Sequence, residues 1–287
     1  MQVSLSRTLK QIFLIGLMVI GFAGAAYAAG PQDWQMNFQP AVTPVMQEIH
    51  SFHTILLWVI TAIAVFVLLL MIFVFVRFNS RANPEPQKFS HNTLLEVLWT
   101  GVPVLILVVI AIPSLRLLFL EDVIPEADFT IKATGYQWYW GYEYPDQGIG
   151  EYFASMVPDE DLQEGQPRLL ATDNAVVVPV GATVRVLVTG ADVIHNWAMP
   201  PFGIKMDAVP GRINETWFRA LEEGTYYGQC SELCGQRHAF MPIEVQVVSQ
   251  DEFDSWVVEQ GGTALAQPET DIIDVAAAAA DAEPAQN

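Results

Sequence analysis

The sequence predicts a two-helix transmembrane hairpin joined to an exported all-β domain, with an export signal in front and a disordered acidic tail behind. Three observations carry this. Two long apolar runs stand close together in the first half of the chain, Ile55 to Val76 and Leu94 to Leu115. Short segments rich in valine, threonine and aromatics, bounded by Gly and Pro, fill the second half, which is the pattern of a sandwich or barrel. The formal net charge of −19 over 287 residues is concentrated after Glu121, so the exported part is strongly acidic. Such a field repels nucleic acid, and none is expected as a partner. It attracts a basic protein, chiefly by raising the association rate.

At the start of the chain, Arg7 and Lys10 precede the apolar run Ile12 to Ala23 and then Ala26-Tyr27-Ala28. A charged region, a short apolar region and an A-x-A site read as a signal peptide over residues 1–28. The apolar run is too short to span a bilayer. Residues 29–121 then hold an N-terminal segment and the hairpin, with helices expected at about 53–77 and 94–118. Ile55 to Val76 is long enough for the roughly 30 Å hydrocarbon layer. Pro103 and Pro113 interrupt the second run, which is tolerable where neighbouring helices re-satisfy the backbone. The connection carries Arg77, Arg81 and Lys88 against Glu85, so the positive-inside rule puts it in the cytoplasm. Both ends of the hairpin then lie outside the cytoplasm, in agreement with the signal peptide. Glu96 has two readings. Thr93 and Glu96 fit a capping box at the positive end of the second helix. An acid at the membrane boundary is also costly unless used, which suggests proton uptake. Both can hold.

The exported domain is expected over residues 122–260. Its strands read as Asp128 to Thr134, Ala175 to Val180, Thr183 to Thr189, Asn214 to Ala220, Thr225 to Gln229 and Pro242 to Val248. Ser249 and Glu252 cap a last helix with Phe253, Trp256 and Val257 on one face. The run Gly135 to Tyr144, if extended, lines Tyr136, Trp138, Trp140, Tyr142 and Tyr144 along one face, as core or as an aromatic belt at the membrane surface. Residues 261–287 are Ala-rich and acidic, low in aromatics, and expected to be disordered.

The chemistry gathers in Cys230-Ser231-Glu232-Leu233-Cys234-Gly235-Gln236-Arg237-His238-Ala239-Phe240-Met241, which holds both cysteines of the chain. Thiolates, a thioether and an imidazole favour copper over magnesium or calcium. Two alternatives stand beside it: a small-loop disulfide, common in exported proteins, and a tetrahedral zinc site. Met241, three residues after His238, favours copper, since zinc has little use for a thioether. A further nitrogen donor must come from elsewhere, and His195 is the candidate.

These residues resemble the dinuclear copper A loop of the cytochrome c oxidase subunit II family, here of the bacterial aa3 type. The similarity runs upstream through Asp192-Val-Ile-His195-Asn-Trp, Lys205-Met-Asp-Ala-Val-Pro-Gly-Arg212 and Tyr226-Tyr-Gly-Gln-Cys230, and covers residues 45 to 250. The resemblance implies a cupredoxin-like barrel in which Cys230 and Cys234 bridge two copper ions. His195 and Met241 would complete one copper, and His238 with the backbone carbonyl of Glu232 the other. It implies that the Glu232 side chain shares a magnesium (or manganese) ion with the catalytic subunit I. It makes Trp138 the electron inlet from cytochrome c, although the family often has histidine where this chain has Tyr136. Glu96, in Glu96-Val-Leu-Trp99-Thr, looks like the glutamate at the mouth of the K proton channel. Glu143, Glu151, Asp173 and Asp192 resemble, in position, carboxylates that hold cytochrome c. Subunit III is a further implied partner, and the complex reduces oxygen to water and pumps protons.

A physical argument agrees. Two thiolates shared between two metals in a fixed frame let one electron spread over both, so each metal changes little. No ligand position is left open for substrate, unlike a catalytic metal site. His50, His53, His91, His195 and His238 are the only histidines, too few to ligate two haems and a third copper as well. Oxygen reduction therefore belongs to a partner subunit. The competing classes are a copper-free structural subunit of a quinol oxidase and a membrane-tethered copper donor. Copper stoichiometry separates them.

Overall fold

The structure, a computed structural model, describes residues 30–85 and 88–264. The signal peptide expected over 1–28 and the tail beyond residue 264 lie outside the described residues. Helix α1 spans Pro44–Arg77 and α2 spans Thr93–Asp122. At about 1.5 Å per residue they are roughly 50 and 45 Å long, enough to cross a bilayer and project beyond it. Their apolar side chains are exposed over the central turns, where lipid takes the place of a protein core.

Both helices are longer at their outer ends than hydropathy alone implies. Helix α1 starts at Pro44 because Thr43 caps it, its hydroxyl accepting from the Met46 amide at 3.1 Å, and proline suits the first helical position. Its first turns are polar outside but bury Val45 and Met46 against the β-domain. Helix α2 runs on to Asp122, where the Leu120 carbonyl accepts from Trp217 Nε1. The expected cap at Thr93 is corrected by one residue. Asn92 is the N-cap, its side chain accepting from the Leu95 amide at 3.2 Å and its carbonyl from the Glu96 amide, so Thr93 is already the first helical residue. Glu96 is left exposed in the first turn, still at the positive end of the helix.

The β-domain holds ten strands in two five-stranded sheets. The first sheet comprises β1 (Phe129–Tyr136), β2 (Tyr139–Tyr144), β3 (Ile149–Ala154), β5 (Thr183–Gly190) and β8 (Asn214–Arg219), in the order β3-β2-β1-β5-β8. The second comprises β4 (Val176–Pro179), β6 (His195–Met199), β7 (Ile204–Ala208), β9 (Gly224–Cys230) and β10 (Pro242–Val248), in the order β4-β10-β9-β6-β7. Pairing is antiparallel except for β1 with β5 and β4 with β10, which are parallel. The inward faces meet in a core that includes Ile131, Trp140, Tyr144, Val186, Trp197, Phe218, Tyr226 and Val245. This is the sandwich the composition called for, with four strands beyond those expected: β2, β3, β6 and β7. A final helix, α3 (Gln250–Glu259), carries the capping box of Ser249 and Glu252 and buries Phe253 and Val257.

The aromatic run is not one continuous strand, as the extended reading had it. The chain turns at Gln137 and Trp138, pairing Tyr136 with Tyr139. Trp140, Tyr142 and Tyr144 do share the inward face and are fully buried, whereas Trp138 sits half-buried at the turn.

Strands β6 and β9 approach so closely that Gly228 is needed between them. A Cβ there would lie 2.0 Å from the Ala198 carbonyl oxygen. Gly228→Ala is therefore expected to destabilise the domain by about 2 kcal/mol or more, since the obstacle is backbone and cannot rotate away. Thermal unfolding of the variant measures this, and an unchanged midpoint would contradict the close packing.

Candidate metal centre

Every predicted donor comes to one end of the second sheet. His195 opens β6, Cys230 closes β9, and the intervening loop returns to Met241 immediately before β10. The loop is closed at its base by the Cys230 amide donating to the Met241 carbonyl at 3.3 Å. Within it, Cys230 Sγ and Cys234 Sγ are 3.9 Å apart, and both thiols are free and buried. A disulfide is thus not formed. Cys234 Sγ lies 3.5 Å from Met241 Sδ and 3.6 Å from His238 Nδ1. Cys230 Sγ lies 3.3 Å from the Glu232 carbonyl oxygen. The ligand atoms of His195, Cys230 and Cys234 fall within 4.8 Å of one another.

His195 shows that this donor set fits a metal. Its Nε2 meets Asp192 Oδ1 at 2.8 Å, while its Nδ1 is buried with no hydrogen-bond partner. An orphaned ring nitrogen is costly in a core and is what a ligating imidazole presents when a carboxylate fixes its other side. Asp192 also accepts from the Gln137 and Val193 amides. Burial pushes its carboxyl up, but the His195 contact and those two amides hold it below the usual range. Thiolates, imidazoles and a thioether together suit copper.

The thiols differ in readiness. Burial pushes Cys230 up, but the neighbouring His195 ring, the backbone of Asn196 and Glu232, and His238 outweigh it and bring the thiol down to about 7. Burial and the negative charge of Cys230 push Cys234 up to about 12. The first negative charge makes the second harder to form, and a metal binding both sulfurs must displace the remaining proton.

The surroundings hold residues that sequence reasoning did not single out. Gly135 faces the His195 ring, where a Cβ would sit 2.7 Å from Cδ2. Gly235, with φ of +127°, leaves room for the Trp138 ring, 2.9 Å from where its Cβ would be. Trp140 donates to the Met241 carbonyl and packs edge-on to His195 with ring centres 6.0 Å apart. The indole of Trp138 donates to the Cys234 carbonyl at 3.2 Å, and Gln137 Nε2 to the same oxygen at 2.8 Å. Trp138 is therefore one hydrogen bond from a donor residue. A glycine repeated beside aromatic or histidine motifs was the only trace of this in the chain.

The remaining expected residues lie elsewhere or are engaged. The Glu232 side chain is exposed beside the loop. Glu143 pairs with Lys132, Glu151 accepts from the Tyr136 hydroxyl, and Asp173 accepts from the Ser155 amide. Asp192 serves His195 as described. Glu96 belongs to the opposite end of the hairpin, at the start of α2.

A membrane hairpin bearing a β-sandwich with buried thiols, imidazoles and a thioether at one end defines a membrane-anchored protein of the copper-holding class. The model of "Cytochrome C oxidase subunit II, periplasmic domain" matches residues 129–248, and that of its transmembrane domain matches residues 31–117. A probable cytochrome c oxidase subunit 2 of Rickettsia bellii is 53% identical over 253 residues, covering 88% of this chain and 93% of that protein. The chain belongs to the cytochrome c oxidase subunit II family, and so is a subunit of a haem–copper oxidoreductase complex. Cytochrome c oxidase subunit 2 of Cereibacter sphaeroides is 48% identical over 251 residues, covering 81% of this chain and 83% of that protein. The solved periplasmic domain of cytochrome oxidase subunit II of Bradyrhizobium japonicum is 58% identical, covering 48% of this chain and 97% of that one, with a TM-score of 0.46. It is a membrane protein with an extramembrane domain.

Proposed function

We propose that the chain is the electron inlet of the oxidase. Its exported domain (residues 122–260) takes electrons from cytochrome c at a dinuclear copper A centre. It then passes them to the haem of the catalytic subunit I, within a complex that also holds subunit III. The observation that carries this is the convergence of five side chains and one carbonyl: His195, Cys230, Cys234, His238 and Met241, with the Glu232 carbonyl. The copper pair, when bound, supplies a one-electron store whose ligands need not change between its two states.

The chain's own residues do the rest. Asp192 fixes the His195 ring so that Nδ1 faces the site. Cys230 and Cys234 lie at a separation suited to bridging. Burial of both thiols and of Met241 excludes water. Trp138, half-buried at the β1–β2 turn and hydrogen-bonded to Cys234, offers a path from the surface to the donor set. Glu143, Glu151 and Asp173 add negative surface for a basic donor, an effect mainly on association rate. The exposed Glu232 carboxylate is available to a magnesium or manganese ion shared with subunit I, which suits a hard oxygen donor. Glu96, at the cytoplasmic start of α2, is the proposed proton inlet. The domain faces the periplasm from a bacterial inner membrane, as the charges of the 77–88 loop indicate.

Metal analysis of the purified chain after copper loading tests the reading. Two copper ions per chain with a spectrum of one electron shared over both nuclei is the expected result. One copper per chain points to a copper donor, and none to a copper-free subunit of quinol-oxidase type.

A further inference from the structure

We propose that Thr43 and Gly203 are positioning residues for electron delivery to the haem-bearing partner. With Val42 they fasten the outer end of α1 to the turn that leaves the strand of His195 and to the loop that enters the strand of Cys230. The inference rests on the copper-relay reading above, because it concerns where an intact centre is held.

Thr43 is fully buried, and its hydroxyl works twice. It caps α1 by accepting from the Met46 amide, and it donates to the Phe202 carbonyl at 2.7 Å. Capping alone would need only the first of these, and an exposed Ser, Asn or Asp would serve. The neighbouring Val42 is stitched on both sides: its amide donates to the Pro201 carbonyl at 3.2 Å and its carbonyl accepts from the Leu221 amide at 2.9 Å. Pro201 and Phe202 belong to the turn that leaves β6, the strand opened by His195. Leu221 lies three residues before β9, the strand closed by Cys230. The strap thus holds the turn that leaves β6 and the loop that enters β9, each at the end of its strand away from the donor residue.

Gly203 makes the contact close. It has φ of +77°, and a Cβ there would lie 2.8 Å from Ile49 Cδ1 and 3.3 Å from the Met46 backbone. The first turn of α1 therefore rests on the domain backbone, with Val42, Val45 and Met46 buried beneath it. A second fastening, Trp217 Nε1 to the Leu120 carbonyl at 3.3 Å, holds the outer end of α2 to β8. With both helix ends held, the domain cannot tilt on its anchor without breaking buried hydrogen bonds, each costly to leave unmade. Electron transfer between fixed centres involves one electron and no bond changes, and its rate falls steeply with distance. A strap that fixes the height and tilt of the domain therefore acts on the onward transfer and not on loading.

The test uses oxidase assembled with Thr43→Val, with Gly203→Val as a second variant and Thr43→Ser as the conservative control. Three rates or signals are read in each: the copper spectrum, reduction by cytochrome c, and transfer from copper to haem. In Thr43→Val the first two are expected to match wild type, while onward transfer falls on the order of tenfold, as small misplacements of reacting centres do. Thr43→Ser is expected to restore it. Hydrogen exchange on the copper-free full chain in lipid nanodiscs gives an independent readout. Thr43→Val should unprotect the Val42 and Leu221 amides while the β9–β10 ladder keeps its protection. Wild-type onward transfer in Thr43→Val, or loss of its copper spectrum, overturns the proposal. The latter would mean that the strap holds the ligands together instead of placing an intact centre. Wild-type oxidase that lacks the two-copper spectrum overturns the relay reading instead.

Discussion

Cys230→Ser is expected to empty the metal centre while leaving the β-domain folded. The substitution keeps the size of the side chain and leaves a hydroxyl beside the Glu232 carbonyl, 3.3 Å from the present sulfur, so the buried group still has an acceptor. The apo domain should lose no more than about 1 kcal/mol, the net worth of a typical internal hydrogen bond. The metal loses much more. A serine hydroxyl is hard and stays protonated where the Cys230 thiol ionises near 7, and thiolate is the species that binds copper. Bound copper should fall below one ion per chain, with loss of the thiolate-to-copper absorption and of electron uptake from cytochrome c. Metal analysis, the visible spectrum and circular dichroism read these three effects together. Retention of the two-copper spectrum in the serine variant would refute the bridging role.

Replacing Trp138 tests the path into the centre and not the centre itself. Trp138→Ala should leave copper content and spectrum intact, because the ring donates only to a backbone carbonyl of Cys234. It should slow reduction by cytochrome c by on the order of tenfold or more, a barrier increase of about 1.4 kcal/mol per factor of ten. Reduction by a small inorganic reductant that reaches the site without docking should be unchanged. Trp138→Phe keeps an aromatic ring at the turn and removes the hydrogen bond, so it separates ring from bond. Stopped-flow reduction at normal speed in the alanine variant would remove Trp138 from the path.

The metal donors were legible because most of them crowd into twelve residues, and local spacing survives folding. His195 was legible only through the motif around it, since no short-range rule brings β6 beside β9. Its strand was missed for a physical reason: all five residues His195 to Met199 are buried, so no alternation marks it, and a histidine, an asparagine and a following proline look like a loop. Strand β7 was legible, since Lys205 and Asp207 alternate outward between Ile204, Met206 and Ala208 on an edge strand, and was overlooked. The run 135–144 misled in the opposite way, because its unbroken aromatics concealed the turn at Gln137 and Trp138. Asp192 looked like a surface acid, but its carboxylate turns inward to orient His195. The needs for Gly135, Gly228 and Gly235 are set by atoms from other strands, and no reading of neighbours along the chain could supply them.

The parallel pairing of β10 with β4 has a consequence for how this protein is made. Residues 245–248 lie alongside residues 176–179, a contact that bridges a long intervening stretch of chain. Non-local pairing of this kind forms late in folding. The ligand loop needs no such partner, because β9 and β10 pair antiparallel across it and the hairpin alone brings Met241 to Cys230. Most of the donor set can therefore gather within one short hairpin, and only His195 has to be brought in, by the pairing of β6 with β9.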